Sequence, residues 1–108
     1  MRKFLIGLVG FLALSSQAKA EASANQFLNN QNPEYAEALL DAMATGISWA
    51  NSHIDKPMYC PPSNLAITSQ QHMEILRQYI QHSPSRGDYP AGAVMIRALE
   101  YAFPCKKR

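Results

Sequence analysis

Two cysteines, Cys60 and Cys105, follow an N-terminal stretch that carries the marks of an export signal, and that combination constrains the fold more than any other feature. Met1-Arg2-Lys3 is basic, residues 4–14 are apolar, and Ala18-Lys19-Ala20 places small residues at both cleavage-site positions. The apolar run is far shorter than the roughly 20 residues that cross a bilayer, and no cysteine stands just after the cut to accept a lipid. Residues 1–20 are therefore expected to be a cleaved signal peptide, leaving a periplasmic chain of residues 21–108 with no stable membrane anchor. In an oxidising compartment, two cysteines admit one intramolecular bridge. A domain of this size hides only about 60–70% of the surface its unfolded chain exposes. Closing the loop between Cys60 and Cys105 is expected to supply up to about 4 kcal/mol by restricting the unfolded state. Neither cysteine belongs to a Cys-x-x-Cys pair, so a structural role is expected over a redox or metal-binding one.

The charge balance excludes one large class of partner. Without Arg2, Lys3 and Lys19, seven basic residues face eight acidic ones, a formal net charge of −1. Nucleic-acid affinity comes largely from neutralising phosphates with clustered Lys and Arg, and apart from a short, solvating basic tail at Lys106-Lys107-Arg108 the charges are too evenly spread for that. Hydrophobic residues make up 47% of the sequence and charged ones 17%, which points to one small globular domain rather than a disordered or coiled-coil chain.

The periodicity is helical throughout. Residues 21–31 are polar apart from Phe27 and Leu28, and read as a flexible arm or a short marginal turn. Asn32-Pro33-Glu34 then combines a cap, a proline at the first helical position and a carboxylate near the positive helix end. Tyr35, Leu39, Met43, Ile47 and Ala50 follow as an apolar stripe, with Leu40 and Gly46 alongside, predicting a first helix that ends near 51–53. Gly46 costs about 1 kcal/mol against alanine inside a helix, and close approach of a neighbouring helix is its expected use. Pro57, Pro61 and Pro62 make the next stretch an ordered connector pinned by Cys60. Thr68-Ser69-Gln70-Gln71 is a capping box opening a second helix with a Met73, Leu76, Ile80 stripe, broadened by Ile75 and Tyr79 and stopped by Ser83-Pro84. After a turn-rich segment, Tyr89-Pro90 restarts helix, and Ala91, Val94, Met95, Ala98, Leu99 and Ala102 give a third stripe ended by Pro104. The predicted fold is an all-α, disulfide-linked bundle of three main helices, with room for a fourth short one, over residues 32–108.

Chemistry is sparse. His72 and His82 lie ten residues apart on one helix, about 80° apart in direction and nearly three turns apart along the axis. They cannot share a metal, and His53, His72 and His82 read as solvated or capping histidines. No Gly-x-Ser-x-Gly elbow, phosphate-binding glycine loop or His-Glu-x-x-His appears, so no catalytic residue, metal or cofactor is expected, and the chain reads as a binding protein rather than an enzyme.

The C-terminal half carries a connected pattern: Tyr59-Cys60-Pro61-Pro62, Leu76 with Tyr79-Ile80, a turn from Pro84 to Pro90, then Ala98-Leu99 and Ala102-Phe103-Pro104-Cys105. Over roughly residues 43–105 it resembles the Rap/Tai immunity family, small exported helical proteins associated with type VI secretion amidase effectors. That resemblance implies a periplasmic protein that binds a peptidoglycan amidase effector and blocks its catalytic cleft, with a homodimer as a further expectation. For the partner surface, the connector at 83–90 is the candidate protrusion, with Arg86 as a bidentate donor, Tyr89 as an anchor and Asp88 as a steering charge. Trp49, one position off the first stripe, is expected either to flank the core or to face another subunit. The alternatives are a small periplasmic acid-stress chaperone, or an accessory subunit of an envelope complex.

Overall fold

The computed structural model describes residues 22–106, so the expected signal peptide and the end of the basic tail lie outside the described residues. Four helices and no strand occur among the described residues: α1 (Ala24–Leu28), α2 (Pro33–Ser52), α3 (Ser69–His82) and α4 (Ala91–Ala102), with a 3₁₀ turn at Pro84–Asp88 between α3 and α4. The all-α expectation of three main helices and a short fourth is met.

Local chemistry explains most of the helix ends. Asn32 Oδ1 accepts from Tyr35 N at 3.3 Å while Pro33 occupies the first helical position, where its missing N–H costs nothing. Thr68 Oγ1 accepts from Gln71 N (3.1 Å) and Gln71 Oε1 accepts from Thr68 N (2.8 Å), a complete capping box for α3. The start of α4 is different. Pro90 supplies no side-chain cap, and the first amide of the helix, Ala91 N, donates to Ala22 O at 2.9 Å across the fold. A remote segment thus satisfies a donor that the local sequence leaves open.

That remote segment is where the expected flexible arm of residues 21–31 is corrected. Ser23 and Gln26 form a second capping box (Gln26 N to Ser23 Oγ 3.2 Å, Ser23 N to Gln26 Oε1 2.8 Å), and α1 buries Ala24 and Phe27. Ala24 N also donates to Tyr89 O at 3.0 Å. Five residues cannot hold a helix alone, so burial and these two cross-fold bonds hold α1.

The first apolar stripe is also corrected, by about one position. α2 buries Ala36, Leu40, Ala44 and Asn51, with Met43 and Ile47 partly buried, while Tyr35, Leu39 and Ala50 face outward. Small residues turn inward because the helices pack closely: the Met43 Sδ lies 3.3 Å from where a Cβ on Gly92 would sit. Gly92 on α4, not Gly46, therefore marks the close approach; around Gly46 nothing lies within 4 Å of a built Cβ. The stripes on α3 (Met73, Leu76) and α4 (Ala91, Val94, Met95, Ala98, Leu99) are buried as expected, apart from Ala102, which is exposed. Leu40, Leu76, Met95 and Leu99 form the fully buried centre.

Cys60 and Cys105 are joined, with Cα atoms 4.9 Å apart. Cys60 N donates to Phe103 O at 2.8 Å beside the bridge, so the connector is hydrogen-bonded to the exit of α4 as well as cross-linked to it.

Candidate functional site

The fold presents two separate surfaces, one at each end of α3. At the C-terminal end, the 3₁₀ turn carries the predicted partner residues. Arg86 and Tyr89 come together, the guanidinium carbon 5.2 Å from the ring centroid, a cation–π contact that stiffens two exposed side chains. Asp88 turns instead toward α1, where its Oδ1 accepts from Asn25 Nδ2 at 3.4 Å. Gly87 is buried beneath the Asn25 side chain, which occupies the space a Cβ would need. The turn is thus fastened at its base by α1 and by the Ala24 N to Tyr89 O bond, while half of Tyr89 stays exposed (50%).

At the other end, a cleft of about 290 Å³ opens between α2, the connector and α3, lined by Ser48, Trp49, Tyr59, Leu65, His72 and Leu99 among others. Asn51 fixes the part of the connector that carries Tyr59. Its Nδ2 donates to Tyr59 O (2.8 Å), and its Oδ1 accepts from Met58 N (2.7 Å) and Tyr59 N (3.5 Å). A buried carboxamide satisfied on both atoms locks the connector against the end of α2. Burial pushes the Tyr59 phenol above its ordinary value of 10.0, and a hydrogen bond from Ser48 partly opposes that rise.

The three histidines stand apart, each with its own neighbour. His53 closes α2 with Nδ1 2.8 Å from Trp49 O, and His82 stacks on Tyr101 at 4.7 Å. His72 corrects the expectation of a solvated or capping residue: only 7% exposed, it places Nδ1 2.8 Å from Asp41 Oδ1. Trp49 flanks the cleft rather than the core, two-thirds exposed (67%) and tilted against His53. Tyr35, Leu39, Ala42, Gly46 and Trp49 are all exposed and recur every three or four residues, a second and outward stripe on α2.

Sequence reasoning missed Asn51 and His72 as structural residues. The signal for Asn51 was available in principle, because the inward row Ala36, Leu40, Ala44, Ile47 continues to position 51 at helical spacing. The Asp41 to His72 contact joins residues 31 apart in sequence and leaves no local trace.

Neither a curated protein nor a solved structure matches the chain. Residues 10–105 match the Rap1a immunity proteins, a match that runs through every element described above. Membership of an immunity family implies a partner effector protein. The chain belongs to the Rap1a immunity protein family.

Proposed function

We propose that the protein is a periplasmic immunity protein that binds a peptidoglycan amidase effector of type VI secretion and occludes its catalytic cleft. The observation that carries this reading is the 3₁₀ turn: Arg86 stacked on a half-exposed Tyr89, on a base fixed by α1. Occlusion needs no chemistry from the inhibitor. It needs a rigid projection and about 800 Å² of buried surface per partner, and Tyr and Arg are the side chains that most often dominate such contacts. The apolar run at 4–14 with its small-residue cleavage site supports export to the compartment where peptidoglycan is cut. The outward stripe on α2, with small Ala42 and Gly46 at its middle, supports a second copy crossing this helix; a monomeric mass by light scattering at micromolar concentration would remove the dimer.

Periplasmic co-expression of a candidate amidase with and without the protein tests the main reading directly, with rescue from lysis as the expected result. Arg86→Ala with Tyr89→Ala should weaken effector binding by more than tenfold and leave the melting temperature nearly unchanged. Unchanged binding by the double variant would clear the turn of any role in recognition.

A further inference from the structure

Resting on that reading, we propose that the cleft beside Trp49 is a second recognition site, a receptacle for one aromatic side chain with a hydrogen-bond donor at its tip, a tyrosine or tryptophan of the effector. Size comes first. At about 290 Å³ the cleft lies at the lower limit of pockets that hold small ligands, which suits a single large side chain rather than a segment of chain. Its walls are mainly apolar, with Trp49, Leu65, Leu99 and the Tyr59 ring offering the stacking and edge contacts that aromatic groups favour.

The polar requirement comes from His72. Its ring is nine-tenths buried and fixed by the Asp41 contact at Nδ1. Asp41 Oδ1 lies 2.8 Å from Nδ1 and accepts its proton, so in the neutral imidazole the lone pair lies on Nε2. Among the described residues Nε2 makes no hydrogen bond, yet no fully buried side-chain nitrogen or oxygen lacks a partner. Nε2 therefore reaches open space, and the open space that His72 lines is the cleft. An acceptor on the wall of a mainly apolar cleft selects its occupant. A phenol or indole satisfies it, a phenyl or aliphatic side chain leaves it unpaired, and a carboxylate meets a lone pair with its own. A lysine would give up its hydration against Leu65, Leu99 and Trp49 for one neutral acceptor, which is costly. Asp41, on the partly exposed outer side of the histidine, keeps the ring oriented in the way that a carboxylate behind a ligating histidine does.

The site can be tested without knowing the effector. Nuclear magnetic resonance titration of the oxidised exported protein with p-cresol, the tyrosine side chain in isolation, should give saturable shifts at Thr45, Ser48, Trp49, Leu65 and His72 with a millimolar Kd. Toluene, which lacks the donor, should bind on the order of tenfold more weakly and leave the His72 ring nitrogen signals in place. Ser48→Phe, at an exposed position on the mouth of the cleft, should abolish p-cresol binding, keep the fold by circular dichroism, and weaken effector binding by tenfold or more. Absence of saturable shifts, or equal affinity for p-cresol and toluene, overturns the receptacle. A Ser48→Phe variant that loses p-cresol but still binds effector as the wild type does overturns the effector as its occupant. Because the fragment titration contains no effector, failure of the amidase reading and failure of this site give different results.

Discussion

Replacing both cysteines by serine isolates what the cross-link contributes. Cys60 and Cys105 are separated by 45 positions, and the chain-entropy treatment gives about 4 kcal/mol for a closed loop of that length. A domain of this size has a total stability on the order of 5–10 kcal/mol, so the Cys60→Ser, Cys105→Ser variant should lose about half of it. The native contacts near the bridge do not depend on the sulfur atoms: Cys60 N still reaches Phe103 O, and Asn51 still holds Met58 and Tyr59. The loss is therefore assigned to the denatured ensemble, which expands when the loop opens. Guanidinium unfolding followed by circular dichroism reads both consequences. With a slope of about 2 kcal/mol/M for a small domain, the midpoint should fall by about 2 M, and the slope itself should rise because the unlinked chain exposes more surface. A midpoint shift below about 0.5 M, with an unchanged slope, would refute the assignment and place the stability of the fold in its helix contacts alone.

Three further perturbations probe the structure independently. Leu40→Ala should cost about 2–5 kcal/mol, and Leu39→Ala less than about 0.5 kcal/mol, in denaturant unfolding; comparable losses would show that α2 is rotated from the orientation described. Asn51→Ala should cost about 2–3 kcal/mol, because it strands the Met58 amide and Tyr59 carbonyl, and hydrogen exchange at Met58 and Tyr59 should accelerate together; unaltered exchange at both would refute the lock. Because the Tyr59 phenol is raised in the folded state by burial, its contribution to stability is fully present below the unfolded value of 10.0. That contribution is lost as pH climbs from 10.0 through the raised value. Tyr59→Phe should remove this part of the alkaline loss, and identical alkaline profiles for the two proteins would contradict it.

What the sequence revealed, and what it hid, follows one physical distinction. Features set by neighbours in the chain are legible: the Asn32-Pro33 start, the Thr68 to Gln71 box and the stop at Ser83-Pro84; the disulfide, 45 positions long, is legible only because two cysteines admit one pairing. The contrast between the two capping boxes is instructive. Ser23-Ala24-Asn25-Gln26 has the same chemistry as Thr68-Ser69-Gln70-Gln71, but it opens a segment too short and too polar to be helical alone, and only burial of Ala24 and Phe27 makes it so. The misplaced stripe on α2 has a similar origin. Hydrophobic size marks Tyr35 and Leu39, whereas the fold buries Ala36 and Ala44 on a face where Met43 comes within 3.3 Å of a Cβ built on Gly92, and packing distance is a tertiary quantity. For the candidate site, Arg86 and Tyr89 were visible as residue types in a turn. The cleft was not, because its walls come from α2, the connector, α3 and α4 together.

Both ends of the bundle are fastened by contacts between residues far apart in the chain, and this bears on which kind of binding protein the fold can be. At one end α1 holds the 3₁₀ turn and Ala22, just before it, accepts from the first amide of α4; at the other the disulfide and Asn51 hold the connector. Surfaces fixed before a partner arrives lose little conformational freedom on binding, so more of the contact energy appears as affinity, which suits a tight inhibitor. An acid-activated chaperone needs the opposite, a seam that opens when carboxylates are protonated. Among the described residues, carboxylates meet basic side chains at three places, and two of these are exposed contacts inside a single helix, Glu74 with Arg77 and Glu100 with Arg97. Pairs of that kind contribute only about 0.3–0.5 kcal/mol each. The third, Asp41 with His72, orients a ring at the cleft and joins α2 to α3 by one hydrogen bond. Protonating these groups releases too little to part helices whose contact is carried by Leu40, Leu76, Met95 and Leu99, so the apolar interior that a chaperone would have to expose stays covered by interactions that acid does not reach.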